Sequence, residues 1–394
     1  MTNENKNHQT TDPLPQPKIG KRGGQIFGAH NPELEWQNPD MLTPPDTDHG
    51  TMPSLKWPYA LSHTRVEDGG WSREVTTREL PESTTLAGVN MHLEPGGVRE
   101  LHWHKEAEWA FMIKGSARIT GFDENGHMFI DDVEEGGVWN FPSGIPHSIK
   151  GLEDGAEFIL VFDDGAFSEN STFSITDWFA HTPNDVLAKN FGVPEETFTT
   201  FADGEKYIYQ GKVPGPINQD LPKHQNNAVN PSFSSRFDNG KKIDIKGGSA
   251  RILDSYNFEQ STTIAAALVE IEPGGIRELH WHPNEAEWQY YLEGQGRMSV
   301  FASSAKARTY NYQAGDVGYV PFAMGHYIEN TGDTTLRFLE MFRSERFAEI
   351  SLSQWMSQTP PALLKEHLPI DNDFINHQLH ADNRPVLNWD QNNT

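Results

Sequence analysis

The sequence predicts an all-β protein made of two tandem barrels with short flanking helices. Three observations carry that prediction. The hexapeptide Arg-Glu-Leu-His-Trp-His occurs at 99–104 and again at 277–282, so the chain repeats a structural unit. The apolar runs around both copies are short, alternate in polarity and stop at glycine or Pro-Gly, as strands do. Gly 34 and Pro 26 among 394 residues supply the many turns of a β architecture.

Taken in order, residues 1–48 are polar and rich in Pro, Asn and Asp, and read as an N-terminal arm. Residues 49–202 form the first unit. Its run Leu86-Ala-Gly-Val-Asn-Met-His-Leu-Glu-Pro-Gly matches Ile264-Ala-Ala-Ala-Leu-Val-Glu-Ile-Glu-Pro-Gly at an offset of 178, each a strand entering a turn. Behind each hexapeptide comes another strand closed by glycine, Trp109-Ala-Phe-Met-Ile-Lys-Gly and Trp288-Gln-Tyr-Tyr-Leu-Glu-Gly. Further strands are expected at 116–122, 138–141 and 157–163, and at 296–301, 317–320 and 336–342. Short strands with glycine turns, each holding part of one site, suggest small rolled barrels. Helices are expected only late in each unit, where Thr176–Pro183 and Leu352–Pro360 match and stop at proline. Residues 203–235 read as a linker, and 236–394 as the second unit with a polar, loose tail from Asp371.

The formal charge of −25 argues against nucleic acid and anionic membranes as partners. A small anionic substrate would need a metal and an arginine to reverse that field locally. With no cysteine, any metal must be met by nitrogen and oxygen donors. Residues 1–25 lack the apolar core of a secretory signal, and no uncharged stretch reaches membrane-spanning length, so the expected location is cytoplasmic.

Each hexapeptide begins a metal-ligand pattern. His102 and His104 are followed by Glu108 and His147, and His280 and His282 by Glu287 and His326. Alternate strand residues face one side, so each His-x-His pair projects into its barrel together. Glu106 and Glu285 are rival carboxylates. Three imidazoles and one carboxylate leave up to two open octahedral positions, which favours Mn or Fe over a closed structural Zn site.

These residues resemble the cupin superfamily. Its first motif is met by Gly96, His102, His104, Glu108 and Gly115, and again by Gly274, His280, His282, Glu287 and Gly294. Its second motif is met by Gly136, Pro142, Gly144 and His147, with Gly151 where Asn is usual. The second copy has Gly315, Pro321, His326 and Asn330, with Ala323 in place of the inner glycine. The resemblance implies two double-stranded β-helix, or jelly-roll, barrels. More narrowly, segments 37–51, 99–109, 163–173 and 313–327 are similar to the bacterial oxalate decarboxylases. That likeness implies one Mn2+ in each barrel, dioxygen as co-catalyst, oxalate as substrate, formate and carbon dioxide as products, and a homo-hexamer built from two trimers.

Oxalate has no electron sink beside its C–C bond, so decarboxylation is eased by removing one electron and one proton. A redox metal with dioxygen can take the electron, a base the proton, and an arginine can hold the carboxylate. Arg99 and Arg277 stand three residues before the first histidine of each site and are candidates for that grip; exposed strand-edge arginines are the alternative. The halves differ in one loop. Phe167 to Trp178 spans eleven residues, whereas Phe347 to Trp355 spans eight. Such an insertion beside one of two duplicated sites suggests a lid. The family's lid is matched by Ser168, Glu169, Asn170 and Ser171, and the resemblance carries the proton-transfer role onto Glu169. Glu340 lies in an apolar strand where the first repeat is read to have Val161. It is either part of a second active site or a structural partner of Arg277. Trp103 and Trp281 point away from the metal, as packing residues or as an electron relay. The competing function is an oxalate oxidase, giving carbon dioxide and hydrogen peroxide; a non-enzymatic double-barrel binding protein is the second alternative.

Overall fold

The computed structural model describes residues 16–19, 21–38, 45–201, 204–223 and 227–388. The arm expected at 1–48 therefore falls partly outside the described residues, as does the end of the tail.

Two rolled antiparallel barrels are present. In the first, neighbouring strands run in the order Ser234–Arg236, Gly137–Phe141, Glu108–Phe122, His147–Phe162, Ala87–Leu93, Gly70–Val75 and Thr64–Glu67. The hexapeptide strand Gly97–Trp103 and the strand Met128–Glu134 pair onto the far halves of the two longest strands. Those strands are longer than expected because 109–115 and 116–122 join, and because 157–163 extends back to His147. Each passes from one wall of the barrel to the other. The second barrel divides the same walls into two sheets. Ala87–Leu93 and Ala265–Ile271 are almost wholly buried, covered on both faces, whereas Gln295–Ala302 alternates between core and solvent.

The barrels exchange edges. Lys56–Pro58 pairs with Asp316–Val320 of the second barrel, and Ser234–Arg236 pairs with Gly137–Phe141 of the first. The segment that opens the unit drawn from residue 49 thus makes contacts with the second barrel. His49 bridges Ala307, and Lys56 forms a buried ion pair with Asp316 at 2.8 Å. An exposed edge strand leaves unpaired backbone groups, and here the other repeat's leading segment satisfies them. The segment 203–235 is likewise not a free linker, because Ile208–Gln210 pairs with the hexapeptide strand Gly97–Trp103. Val386–Asn388 of the tail does the same to Gly275–Trp281.

Between the barrels the backbone approaches an indole closely. A Cβ at Gly88 would lie 2.4 Å from Cζ2 of Trp288, so only glycine fits. The expected late helices are Ile175–Ala180 and Leu352–Ser357, each capped by a serine hydroxyl, Ser174 or Ser351. Further helices occur at Pro32–Gln37 in the arm and Asn184–Phe191 in the first unit. The tail, expected to be loose, carries helix Asn372–His377 behind Pro361–His367.

Candidate metal centres and active site

Arg99 and His102 are an odd number of residues apart, so strict alternation would place them on opposite faces. A bulge removes the conflict. His102 pairs with His147 while Arg99 pairs with Ile149, so three steps on one strand match two on the other. Arg277 and His280 repeat this against Ile328 and His326. The extra residue turns arginine and imidazoles to one interior, a recurring use of bulges beside sites. Both arginines are buried, so the strand-edge alternative does not hold.

The ligand atoms of His102, His104, Glu108 and His147 all lie within 4.8 Å of one another, as do those of His280, His282, Glu287 and His326. All eight side chains are buried. The rival carboxylates stand aside: Glu106 pairs with Lys105, and Glu285 accepts from the Ala286 N–H.

The hydrogen bonds fix every tautomer. Nδ1 of His102, His104 and His147 contacts the carbonyls of Glu100, Glu106 and Ile145 at 2.6, 2.7 and 2.8 Å. Nδ1 of His280, His282 and His326 contacts the carbonyls of Glu278, Ala348 and Met324 at 2.6, 2.8 and 3.1 Å. A carbonyl only accepts, so each Nδ1 carries the proton and each Nε2 presents a lone pair inward. In the second site Nε2 of His282 and His326 lies 3.0 and 2.8 Å from Glu287 Oε2, yet these atoms have no hydrogen-bond partner. Converging lone pairs repel unless a cation lies between them, so the donor set fits a divalent metal ion. At His282 burial lowers the pKa, but the facing Glu287 carboxylate outweighs it and raises it. Two other imidazoles are held neutral. Burial and the nearby arginine, Arg99 or Arg277, hold the His102 and His280 pKa values well below the imidazole range. Burial would raise the pKa of Glu108 and Glu287, but the facing imidazoles outweigh it and pull both down.

The second carboxylate oxygen is held differently in each barrel. Trp139 Nε1 donates to Glu108 Oε1 at 2.9 Å, and Gln289 Nε2 donates to Glu287 Oε1 at 2.7 Å. By register, Trp139 and Ala110 of the first site correspond to Gly318 and Gln289 of the second. A large donor on one strand is exchanged for a large donor on its neighbour. Sequence reading missed both donors, although comparing the two repeats contains the signal.

The arginines differ more. Arg277 is gripped by Glu340, with Nε–Oε1 at 3.0 Å, and by Glu349, and it donates to the Pro385 carbonyl at 3.2 Å. Burial opposes its charge, but the two carboxylates outweigh that and raise its pKa. Arg99 donates to the Tyr207 carbonyl at 3.4 Å, and no carboxylate of the described residues lies within ion-pair distance. Burial lowers its pKa despite the more distant carboxylates around it. Strand register also corrects one alignment. Glu340 pairs with Gln289 and Ala267, and the corresponding residue, pairing with Ala110 and Val89, is Leu160 rather than Val161.

The inserted loop lies between matched anchors. Phe167 stacks on Phe162 before it and Ser174 pairs with His102 after it; Phe347 contacts Phe342, and Ser351 pairs with His280. Ser168 caps the single turn Glu169–Ser171 by accepting from the Asn170 N–H. Glu169 is buried, and its Oε2 accepts from the Ser72 hydroxyl at 2.8 Å. Burial pushes its pKa up to about 7, with Arg99 opposing and Glu74 adding to the rise. On its other side Glu169 meets a 330 Å³ cavity lined also by Arg65, Arg73 and Arg78. Trp103 and Trp281 are half-buried. Trp103 stacks on Phe173 and meets Trp178 edge-on, and Trp281 meets Trp355.

Two barrels, each closing three tautomer-locked imidazoles and a carboxylate around one buried point, define a metal-binding double-barrel protein. The cupin family profile matches residues 60–198 and 234–376, and the chain belongs to the cupin family. Its similarity extends further, to the oxalate decarboxylases. It is 55% identical over 374 residues to oxalate decarboxylase OxdC of Bacillus subtilis, covering 95% of this chain and 97% of that one. It is 42% identical to a probable oxalate decarboxylase of Arthroderma benhamiae, covering 88% and 89%. A solved structure of the Bacillus subtilis oxalate decarboxylase, from a study of its Mn(II) centres, superposes with a TM-score of 0.91 at 54% identity, covering 96% of this chain and all of that one.

Proposed function

We propose that the protein decarboxylates oxalate to formate and carbon dioxide by a radical route, at its first barrel. His102, His104, Glu108 and His147 hold one Mn2+ there, and His280, His282, Glu287 and His326 hold another. Bound in these cages, with dioxygen as co-catalyst, the metal supplies the one-electron oxidation that makes the C–C bond cleavable. The observation that carries this reading is the difference between the arginines. The donors of Arg99 are not spent on a carboxylate, whereas Arg277 is neutralised by Glu340 and Glu349. A cationic fork beside a metal ion suits a dicarboxylate and locally reverses the −25 field. Arg277 and Glu340 are then a structural ion pair.

The net reaction, C2O4(2−) + H+ → HCO2− + CO2, consumes one proton. Glu169 takes the proton of bound oxalate and, as the removed electron also returns, gives it back to the carbon left after carbon dioxide departs, which becomes formate. A carboxyl titrating near 7 exchanges a proton in both directions at mildly acid pH. The arginine-lined cavity beside it is the approach for the anion. The same reading includes a homo-hexamer of two trimers, and the exposed indoles of Trp178 and Trp355 on matching helices support association. It also includes a cytoplasmic location; among the described residues no helix is long and apolar enough to cross a membrane.

The test is a product assay on purified, metal-analysed protein with oxalate at mildly acid pH, in air and without oxygen. Near-equal formate and carbon dioxide, with manganese bound and turnover lost without oxygen, is the expected result. Hydrogen peroxide with little formate would make it an oxidase. No turnover with the metal present would leave a binding protein.

A further inference from the structure

Ser72 and Tyr207 are buried beside the lid, and neither belongs to the metal cage. Ser72 donates to Glu169 Oε2 at 2.8 Å, and the Tyr207 hydroxyl lies 2.5 Å from Ser72 Oγ. The Tyr207 ring is clamped between two guanidinium groups, Arg65 at 3.5 Å and Arg99 at 4.3 Å from its centroid. Its backbone adopts φ 57°, a left-handed conformation uncommon for an aromatic residue.

The second barrel shows what the pair is for. Ser72 pairs with Met91 on the adjacent strand, and the residue pairing with the matching Val269 is Ala250. The Tyr207 carbonyl accepts from the Glu100 N–H, and the carbonyl in the same place before Glu278 belongs to Pro385. Both hydroxyls are therefore absent from the barrel that lacks the inserted loop. Two positions distant in sequence are changed together, along with the one acid that Ser72 touches.

We propose that Ser72 and Tyr207 form a hydroxyl latch that holds the Glu169 carboxyl in one place in both of its protonation states. They are thus positioning residues for proton transfer. When Glu169 is ionised, Tyr207 donates to Ser72 and Ser72 donates to the carboxylate. When it is protonated, both hydroxyls rotate: the carboxyl donates to Ser72 and Ser72 donates to Tyr207. Only groups that donate and accept can reverse in this way; arginine cannot accept, and a carboxylate cannot donate. A loop-borne acid that gives and takes a proton within one turnover needs such a support, because a small misplacement costs rate steeply.

The latch rests on the reading of Glu169 as the proton-transfer group, and the test separates the two. Wild-type protein, Ser72→Ala, Ser72→Thr and Tyr207→Phe are loaded with manganese and matched for metal content. Formate and peroxide production is followed at varied oxalate, and backbone hydrogen exchange is followed across residues 168–174. In Ser72→Ala, kcat for formate should fall about tenfold or more with little change in KM. Peroxide per formate should rise and lid exchange should quicken. Tyr207→Phe, which keeps the ring between the guanidinium groups, should show the same signs more weakly, and Ser72→Thr should stay near wild type. Wild-type kcat, product ratio and lid exchange in both Ser72→Ala and Tyr207→Phe would overturn the latch. Equal impairment in Ser72→Thr and Ser72→Ala would also overturn it, since packing would then carry the effect. If wild type makes no formate but lid exchange still follows the hydroxyls, the latch stands and the decarboxylase reading fails.

Discussion

Arg99 and Arg277 open the same hexapeptide and have opposite circumstances in the fold. Removing Arg277 leaves Glu340 buried and Glu349 half-buried without their cation, and breaking such a buried pair costs roughly 3–5 kcal/mol. Arg277→Met should therefore lower the unfolding midpoint strongly. Arg99→Met strands no partnered carboxylate, so the midpoint should move little while formate production collapses. Thermal unfolding and a formate assay on the same preparations check both. In the proposed reaction Glu169 sets the pH response. Its folded pKa, about 7, is above the ordinary 4.5, so the stability it contributes is complete below 4.5 and is lost as pH rises through 7. The proton needed in the reaction is lost over the same range. The kcat profile should fall as pH passes 7, and Glu169→Gln should abolish formate while retaining the metal.

The lid and the bulge are short elements with large consequences. Deleting Glu169–Ser171 would return the first loop to the length of the second, with Phe167 and Ser174 still anchored. On the proposed route, losing the placed acid would let the intermediate meet dioxygen in place of a proton. Formate should fall about a hundredfold, and peroxide should become the main product in a coupled peroxidase assay. The turn that delivers the last histidine tolerates a departure from its usual glycine. Ala323 adopts φ 61°, and Gly144, its counterpart in the first barrel, has φ 77°. Gly151 departs in the other direction. Asn330 bonds the Ile271 and Thr334 carbonyls through its side chain, whereas a Cβ at Gly151 would lie 2.4 Å from the Glu94 carbonyl oxygen. Close backbone approach takes the place of the amide.

The exchanged edge strands tie the two barrels into one cooperative body. Lys56 reaches from the segment ahead of the first barrel to Asp316 in the second, at 2.8 Å and buried, and also donates to the Asn311 carbonyl. Lys56→Ala leaves Asp316 buried and unpaired, at a cost of roughly 3–5 kcal/mol. It should destabilise the second barrel although it lies ahead of the first, and hydrogen exchange of Asp316–Val320 should report that directly.

Reading along the chain was enough for the repeat, the β class and all eight metal donors. Each depends on local spacing: strand alternation, glycine turns, and the His-x-His pair with its following glutamate and later histidine. Glu169 was reached through a loop-length difference and a family likeness, which are also sequence properties. What only the tertiary structure decided comes from pairing between distant segments. The bulge that turns Arg99 inward depends on the register against His147–Phe162. Leu160, not Val161, stands opposite Glu340 because strand pairing, not an ungapped guess, sets the correspondence. Tyr207 lay in an apparent linker, and Glu349 and Pro385 carried no spacing relative to Arg277. The two barrels share one ligand pattern and differ in the charge around their arginines. That difference is made by side chains brought together from across the chain, which no local pattern encodes.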